Sequence, residues 1–281
     1  MKRIATIQDI SCFGKCSITV ALPVISAMGV ECAIVPTTVL STHTAGFTGY
    51  TVRDISDELV PIAEHWKKEG IALDTLYTGY LANAEQIDST IKFIELTKND
   101  KTMIFIDPAM ADNGKLYPGF SADFPSKMLE LVKIADVVCP NITEACLLLG
   151  KEFKNEGEYD ENYIKELALG FAALGIPKTV ITGVKYGDGR HGAVTFDAEK
   201  GELNYLFGEN QNCYFHGTGD LFSSVLCGAL TNGEDICSAT QMAVDFTIAC
   251  IKQTLPDREN HPYGVKFEEC LHLLCKNGVE Q

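Results

Sequence analysis

The chain has 281 residues, 46% of them apolar, and a formal net charge of −15. That length and apolar content suit one α/β domain spanning residues 1–281. The acidic surface argues against nucleic acid and membrane surfaces as partners. Eleven cysteines without a C-x-x-C pair or a Cys/His ligand spacing argue against zinc, and point to free thiols in a reducing, cytoplasmic compartment. Met1-Lys2-Arg3-Ile4-Ala5-Thr6 reads as the approach to a first strand rather than a signal peptide.

In chain order, short β-rich runs alternate with longer helical ones. Residues 4–7 predict a strand and 17–28 a helix closed by Gly29. Residues 32–35 predict a strand stopped by Pro36, followed by a Thr- and Gly-rich loop over 37–49. An amphipathic helix is expected over 53–69, then strand 76–78, helix 84–96 and strand 103–106. Helix 126–133, strand 137–139, and helices from 143–149 and 163–174 follow, then strand 179–182. Residues 193–196 and 203–207 predict a hairpin around 197–201, and the rest is helical over 221–231, 236–254 and 267–276.

This alternation predicts a three-layer α/β fold: a mostly parallel central sheet, helices on both faces, and a small hairpin extension. Ligands of such sheets bind outside the carboxyl ends of the strands. Asp9, Thr44, Gly79-Tyr80, Asp107, Asp112, Asn141, Glu144 and Thr182-Gly183 all follow predicted strands. The loops 37–49 and 112–121 are candidates to close over a bound substrate.

The sharpest motif is Gly217-Thr218-Gly219-Asp220 ahead of the apolar helix 221–231. Two glycines let backbone approach a ligand, and a following helix offers free N–H groups to an anion. An aspartate at such a turn can take a proton from an attacking hydroxyl. Plain helix capping explains the same residues equally well. Asn141 and Glu144 match a capping box, and a cap on that sheet edge also faces the ligand crevice. Asp107 and Asp112 flank a small-residue loop and suit an Mg²⁺–phosphate site or a surface turn. Ser41-Thr42-His43-Thr44 with Gly46-Phe47 groups hydroxyls, an imidazole and an aromatic ring that suit a flat ring substrate.

These residues, in this order, resemble the pyridoxal/pyridoxine/pyridoxamine kinase branch of the ribokinase-like superfamily over nearly the whole chain. The matching segments are Ile7-Gln8-Asp9, His43-Thr44, Thr78-Gly79-Tyr80, Asp107-Pro108-Ala109-Met110-Ala111-Asp112, Pro140-Asn141-Ile142-Thr143-Glu144-Ala145, Val180-Ile181-Thr182-Gly183 and Gly217-Thr218-Gly219-Asp220. The resemblance implies ATP-dependent phosphorylation of a 5′-hydroxymethyl group, with Asp220 as general base and Gly217 and Gly219 in the anion hole. It implies Asp9, His43, Thr44 and Tyr80 on the ring side, with Asp9 in place of the family's usual Ser. Asp107, Asn141, Glu144, Thr182, Gly183 and Thr218 would lie on the ATP side, with Asp107 and Glu144 holding Mg²⁺ through water. A homodimer and a response to K⁺ are further implications. Two alternatives stay open: a hydroxymethylpyrimidine-type kinase, and a non-catalytic binding protein on the same scaffold.

Overall fold

The computed structural model describes residues 1–187, 189–211 and 213–275. The first half holds β1 (Arg3–Ser11), α1 (Ile18–Ala27), β2 (Glu31–Leu40), β3 (Val52–Asp54), α2 (Leu59–Lys68), β4 (Thr75–Thr78), α3 (Ala84–Thr97) and β5 (Met103–Ile106). Then come the two-residue strands β6 (Ala111–Asp112) and β7 (Lys115–Leu116), α4 (Phe124–Val132), β8 (Val137–Val138), α5 (Ile142–Leu149) and α6 (Glu161–Ala173). The antiparallel end of the sheet is β9 (Lys178–Lys185), β10 (Arg190–Asp197) and β11 (Glu202–Glu209), followed by α7 (Thr218–Thr231) and α8 (Ile236–Thr254).

One nine-stranded sheet runs in the order β11-β10-β9-β8-β5-β4-β1-β2-β3. The six strands from β9 to β2 are mutually parallel, and β3, β10 and β11 pair antiparallel. The central strands alternate between two cores. Ala5, Ile7, Leu76, Ile104, Ile106 and Val138 face one, under α2 to α6. Ile4, Tyr77, Phe105 and Val137 face the other, under α1, α7 and α8. Burial on both faces is why these strands read as continuous apolar runs.

Three expectations from the sequence fail, each for a physical reason. Pro36 does not stop β2, which continues to Leu40. β3 pairs only with Thr38, Val39 and Leu40, so the strand is an edge at Pro36, where a missing N–H costs no ladder bond. The helix expected over 53–69 starts later: Val52–Asp54 is strand, Ser56–Glu58 a 3₁₀ turn, and α2 begins at Leu59. Asp54 Oδ1 accepts from the Ser56 N–H at 2.8 Å, a local turn that competes with helix. Helix 267–276 is instead two 3₁₀ turns, Phe267–Glu269 and Leu271–Leu274, and residue 276 lies outside the described residues. All eleven cysteines are free thiols, and no helix among the described residues is long and apolar enough to cross a membrane.

The order reverses at β1, whose neighbours β2 and β4 lie on opposite sides of it. The crevice outside the carboxyl ends of β1 and β4 is therefore the place for a ligand. Two side-chain bonds aim α7 at it. Tyr77 Oη meets Ser223 Oγ at 2.7 Å, and Thr75 Oγ1 meets Thr231 Oγ1 at 2.7 Å. α7 thus runs antiparallel to β4, with its N-terminus at the carboxyl edge of the sheet.

Candidate active site

Gly217 is the N-cap of α7 with φ 76°, a left-handed conformation that suits glycine. A methyl group there would overlap the Lys15 carbonyl oxygen, so the turn and the 14–17 loop fit only without a side chain. No side chain caps the helix. Thr218 Oγ1 donates to the Phe215 carbonyl at 3.1 Å instead. The first-turn N–H groups are therefore left without a side-chain acceptor, the arrangement that binds anions. A methyl group on exposed Gly219 would meet nothing within 4 Å, so the space before the turn is open. The capping explanation of Asp220 fails here, because Gly217 is the cap and Asp220 lies in the first turn.

Asp220 is half-buried. Burial pushes its pKa up to about 7, against the Ser17 N–H, which favours the carboxylate, and with the help of the Asp9 charge. A carboxylate tuned to that range is suited to proton transfer near neutral pH.

The end of β5 supplies Asp107, 7% exposed. Its pKa lies well above the ordinary carboxylate range, through burial first and then the charges of Glu144 and Asp220, while Ser223 opposes the shift. Asn141 and Glu144 form a complete capping box at the start of α5. Asn141 Oδ1 accepts from the Glu144 N–H at 3.0 Å, and Glu144 Oε2 accepts from the Asn141 N–H at 2.9 Å. Glu144 Oε1 also accepts from the Met110 and Ala111 N–H groups at 3.0 and 3.4 Å, and Asn141 Nδ2 donates to the Ala111 carbonyl at 2.8 Å. The cap therefore also pins the loop after Asp107. Burial still raises the Glu144 pKa to about 8.

Thr182 and Gly183 lie inside β9 rather than after it. Opposite them, the β10 register shifts between Gly192 and Val194, so the pair forms a bulge with Gly183 at φ 69°. The Thr182 N–H donates to the Pro140 carbonyl at 2.9 Å, which joins this bulge to the Asn141 end of β8. Asp112 lies on the β6–β7 hairpin, where its carboxylate accepts from the Asn113 N–H at 2.8 Å and Nδ2 at 3.0 Å, and its charge also reaches Glu144, Tyr214 and His216.

On the ring side, Tyr80 packs its ring 5.6 Å from Phe120 and senses the Asp9 charge. His43 is buried, with Nε2 3.2 Å from the Tyr263 carbonyl and its ring 5.0 Å from Phe47 and 5.9 Å from His216. Thr44 is exposed on the loop beside it. Asp9 does not end its strand, which runs on to Ser11 past a register shift between Gln8 and Ile10. Its carboxylate is 3% exposed and accepts the Ser17 and Ser11 hydroxyls at 2.5 and 3.0 Å. The loop expected over 37–49 is strand as far as Leu40, which leaves 41–49 outside the sheet.

Among the described residues, none of Asp9, Asp107, Glu144 and Asp220 forms an ion pair. No described group of three or more His, Cys, Asp or Glu side chains converges closely enough to ligate a metal directly. Two buried carboxylates, Asp107 and Glu144, the first raised in part by the charge of the second and neither paired with a protein cation, fit an Mg²⁺ held through water.

Sequence reading missed Ser17, Tyr77 and Ser223, which tie the site together across the chain. It also missed a cavity of 520 Å³ beside the turn, lined by Tyr214, Phe215, His216, Arg258, Glu259 and Pro262. A serine two residues after Lys15 and hydroxyls paired at 223–224 carry no local signal of that role.

The model of the family described as phosphomethylpyrimidine kinase matches residues 5–263. The chain is 32% identical over 193 residues to the pyridoxine kinase of Bacillus subtilis, covering 67% of each chain. It is 25% identical to the pyridoxal kinase of Dictyostelium discoideum, and spans 66% of this chain but only 63% of that protein's length. It is 26% identical to the hydroxymethylpyrimidine/phosphomethylpyrimidine kinase of Haemophilus influenzae over 93% of this chain and 95% of that one. Its fold matches a Bacteroides thetaiotaomicron protein, described as a phosphomethylpyrimidine kinase and crystallised with pyridoxal, with TM-score 0.92 and 30% identity over 100% of this chain and 97% of that one. The chain belongs to the phosphomethylpyrimidine kinase family, in the pyridoxal kinase branch of the ribokinase-like superfamily.

Proposed function

We propose that this chain transfers the γ-phosphate of ATP to the 5′-hydroxymethyl group of a B6 vitamer: pyridoxal, pyridoxine or pyridoxamine. The observation that carries this reading is Asp220, a carboxyl with its pKa lifted to about 7 in the first turn of a helix that no side chain caps. The binding of pyridoxal by the Bacteroides thetaiotaomicron protein supports the choice of ring. In this reading residues 1–281 act as one catalytic domain, cytoplasmic and homodimeric.

The acceptor ring lies over the carboxyl ends of β1 and β4, between Tyr80 and the His43-Thr44 loop. Asp220 takes the hydroxyl proton as the oxygen attacks the γ-phosphorus, and the bond to the β-phosphate oxygen breaks. The N–H groups of the 217–220 turn stabilise the charge on the transferring group, and Thr218 stands beside them. Asn141 and the Thr182-Gly183 bulge line the nucleotide. Asp107 and Glu144 would hold Mg²⁺ through water, and the ion when bound neutralises phosphate charge. Most of the rate enhancement then comes from positioning and electrostatics.

A second reading, a hydroxymethylpyrimidine-type kinase, has its own support: the family model's description, and the Haemophilus influenzae relative matched over 93% of this chain. The two are separated by measuring kcat/KM with MgATP for the three vitamers and for hydroxymethylpyrimidine. The B6 reading expects the best vitamer to exceed the pyrimidine by about tenfold or more, the discrimination that one or two ring contacts provide. A pyrimidine preference of that size replaces the first reading with the second.

A further inference from the structure

Ser17 holds a backbone conformation that serine rarely adopts, φ 53° and ψ −132°. Among the described non-glycine residues only Asn113 also has a positive φ, in the β6–β7 turn, and asparagine tolerates that region. Ser17 is the N-cap of α1, yet its hydroxyl makes no capping bond. The hydroxyl donates instead to Asp9 Oδ1 at 2.5 Å, and the second Asp9 oxygen accepts from Ser11 at 3.0 Å. Asp9 is thus tied beneath the floor of the site, 3% exposed, with both oxygens engaged by the protein itself.

The other end of Ser17 faces the turn of α7. The Ser17 N–H faces the Asp220 carboxyl and favours its ionised form. The loop between them has little freedom. Its Lys15 carbonyl abuts Gly217, its Lys15 stem abuts Gly264, and Lys15 Nζ pairs with Glu268 at 2.6 Å. The Lys15 N–H also donates to the Tyr263 carbonyl at 3.2 Å.

We propose that Asp9 and Ser17 are positioning residues for Asp220: buried Asp9 anchors the Ser17 hydroxyl, and the anchor keeps the Ser17 N–H turned toward the Asp220 carboxyl. This rests on the reading of Asp220 as the general base. Asp9 then shapes the reaction through Ser17 and not by touching the ring, which departs from the role its place in the sequence suggests.

The test uses the full chain as wild type, Asp9→Ala, Ser17→Gly and the double variant. Glycine adopts the required φ without an anchor and keeps the N–H. Asp9→Ala is expected to lower kcat by about tenfold or more in the wild-type background, with KM for ATP and acceptor within about threefold, since a misplaced base acts on the chemical step. In the Ser17→Gly background the same change is expected to cost less than about threefold, a coupling that neighbouring residues show. Equal losses in both backgrounds overturn the proposal, because Asp9 then acts on the substrate itself. So does an Asp9→Ala variant with wild-type kcat.

Melting temperatures of the same four proteins give a readout that needs no turnover. Asp9→Ala is expected to lower Tm more in the wild-type background than in the Ser17→Gly background, and equal drops overturn the anchor. Wild-type inactivity on every acceptor would sink the kinase reading, while the Tm comparison still judges the anchor. Asp9→Asn, which keeps an acceptor oxygen for Ser17, supplies the same comparisons with smaller losses should Asp9→Ala fail to fold.

Discussion

Asp220→Asn is expected to lower kcat by about 10³-fold, within the range that removal of a positioned base costs. KM for ATP should change little, because asparagine keeps the shape of the side chain and leaves the 217–220 turn intact. The wild type should show the same group in its pH profile. Burial raises the Asp220 pKa to about 7, and only the ionised carboxylate accepts a proton. Activity is therefore present above that value and is lost as pH falls through it. The acid limb of kcat/KM for the acceptor should be centred near pH 7, and Asp220→Asn should remove it. A limb centred below about pH 5, in the ordinary carboxylate range, contradicts the assignment.

The two glycines of the turn should fail in different ways. Gly217→Ala places a methyl group against the Lys15 carbonyl at φ 76°. Left-handed strain and the forced shift of the 14–17 loop together cost about 3 kcal/mol. For a chain of this size that is a fall in Tm of roughly 6 °C, and displacement of the turn should cost about 10²-fold in kcat. Gly219→Ala meets no protein atom within 4 Å and sits inside a helix at an ordinary φ. Alanine there should leave Tm unchanged or raise it slightly, by about 0.5–1 kcal/mol of stability. Its methyl group would occupy the open space where the phosphoryl group is proposed to lie, so turnover should fall without any loss of stability. Gly219→Ala with full activity would place the anion elsewhere. A calorimetric scan and steady-state kinetics on both variants check the pair.

Much of this arrangement is legible in the sequence because parallel strands are simple to read. β4, β5 and β8 are short apolar runs with polar residues directly after them, so Tyr80, Asp107 and Asn141 can be assigned to one edge of the sheet without coordinates. Asn141 and Glu144 are legible for a second reason: a capping box is a local pattern. Local patterns fail where tertiary pairing overrides them. Pro36 breaks an internal strand but is harmless on an edge, and nothing in residues 32–40 announces the edge. Ser17 looks like the start of a helix, and it is one. Its strained φ follows from contacts with Asp9 and with the turn 200 residues later, which no window can contain. The Tyr77–Ser223 bond that aims α7 at the crevice is hidden in the same way. The sequence also points Asp9 at the substrate, whereas the folded chain turns it toward Ser17 and Ser11.

The central claim is transfer of a phosphoryl group to a B6 vitamer at the Asp220 turn. Its most direct measurement is mass spectrometry of each vitamer after incubation with the wild-type protein and MgATP, with Asp220→Asn run in parallel. The account predicts a monophosphorylated vitamer and one equivalent of ADP with the wild type, and almost no product with the variant over the same time. Folded wild-type protein that phosphorylates no vitamer, or an Asp220→Asn variant that forms product at the wild-type rate, would contradict it.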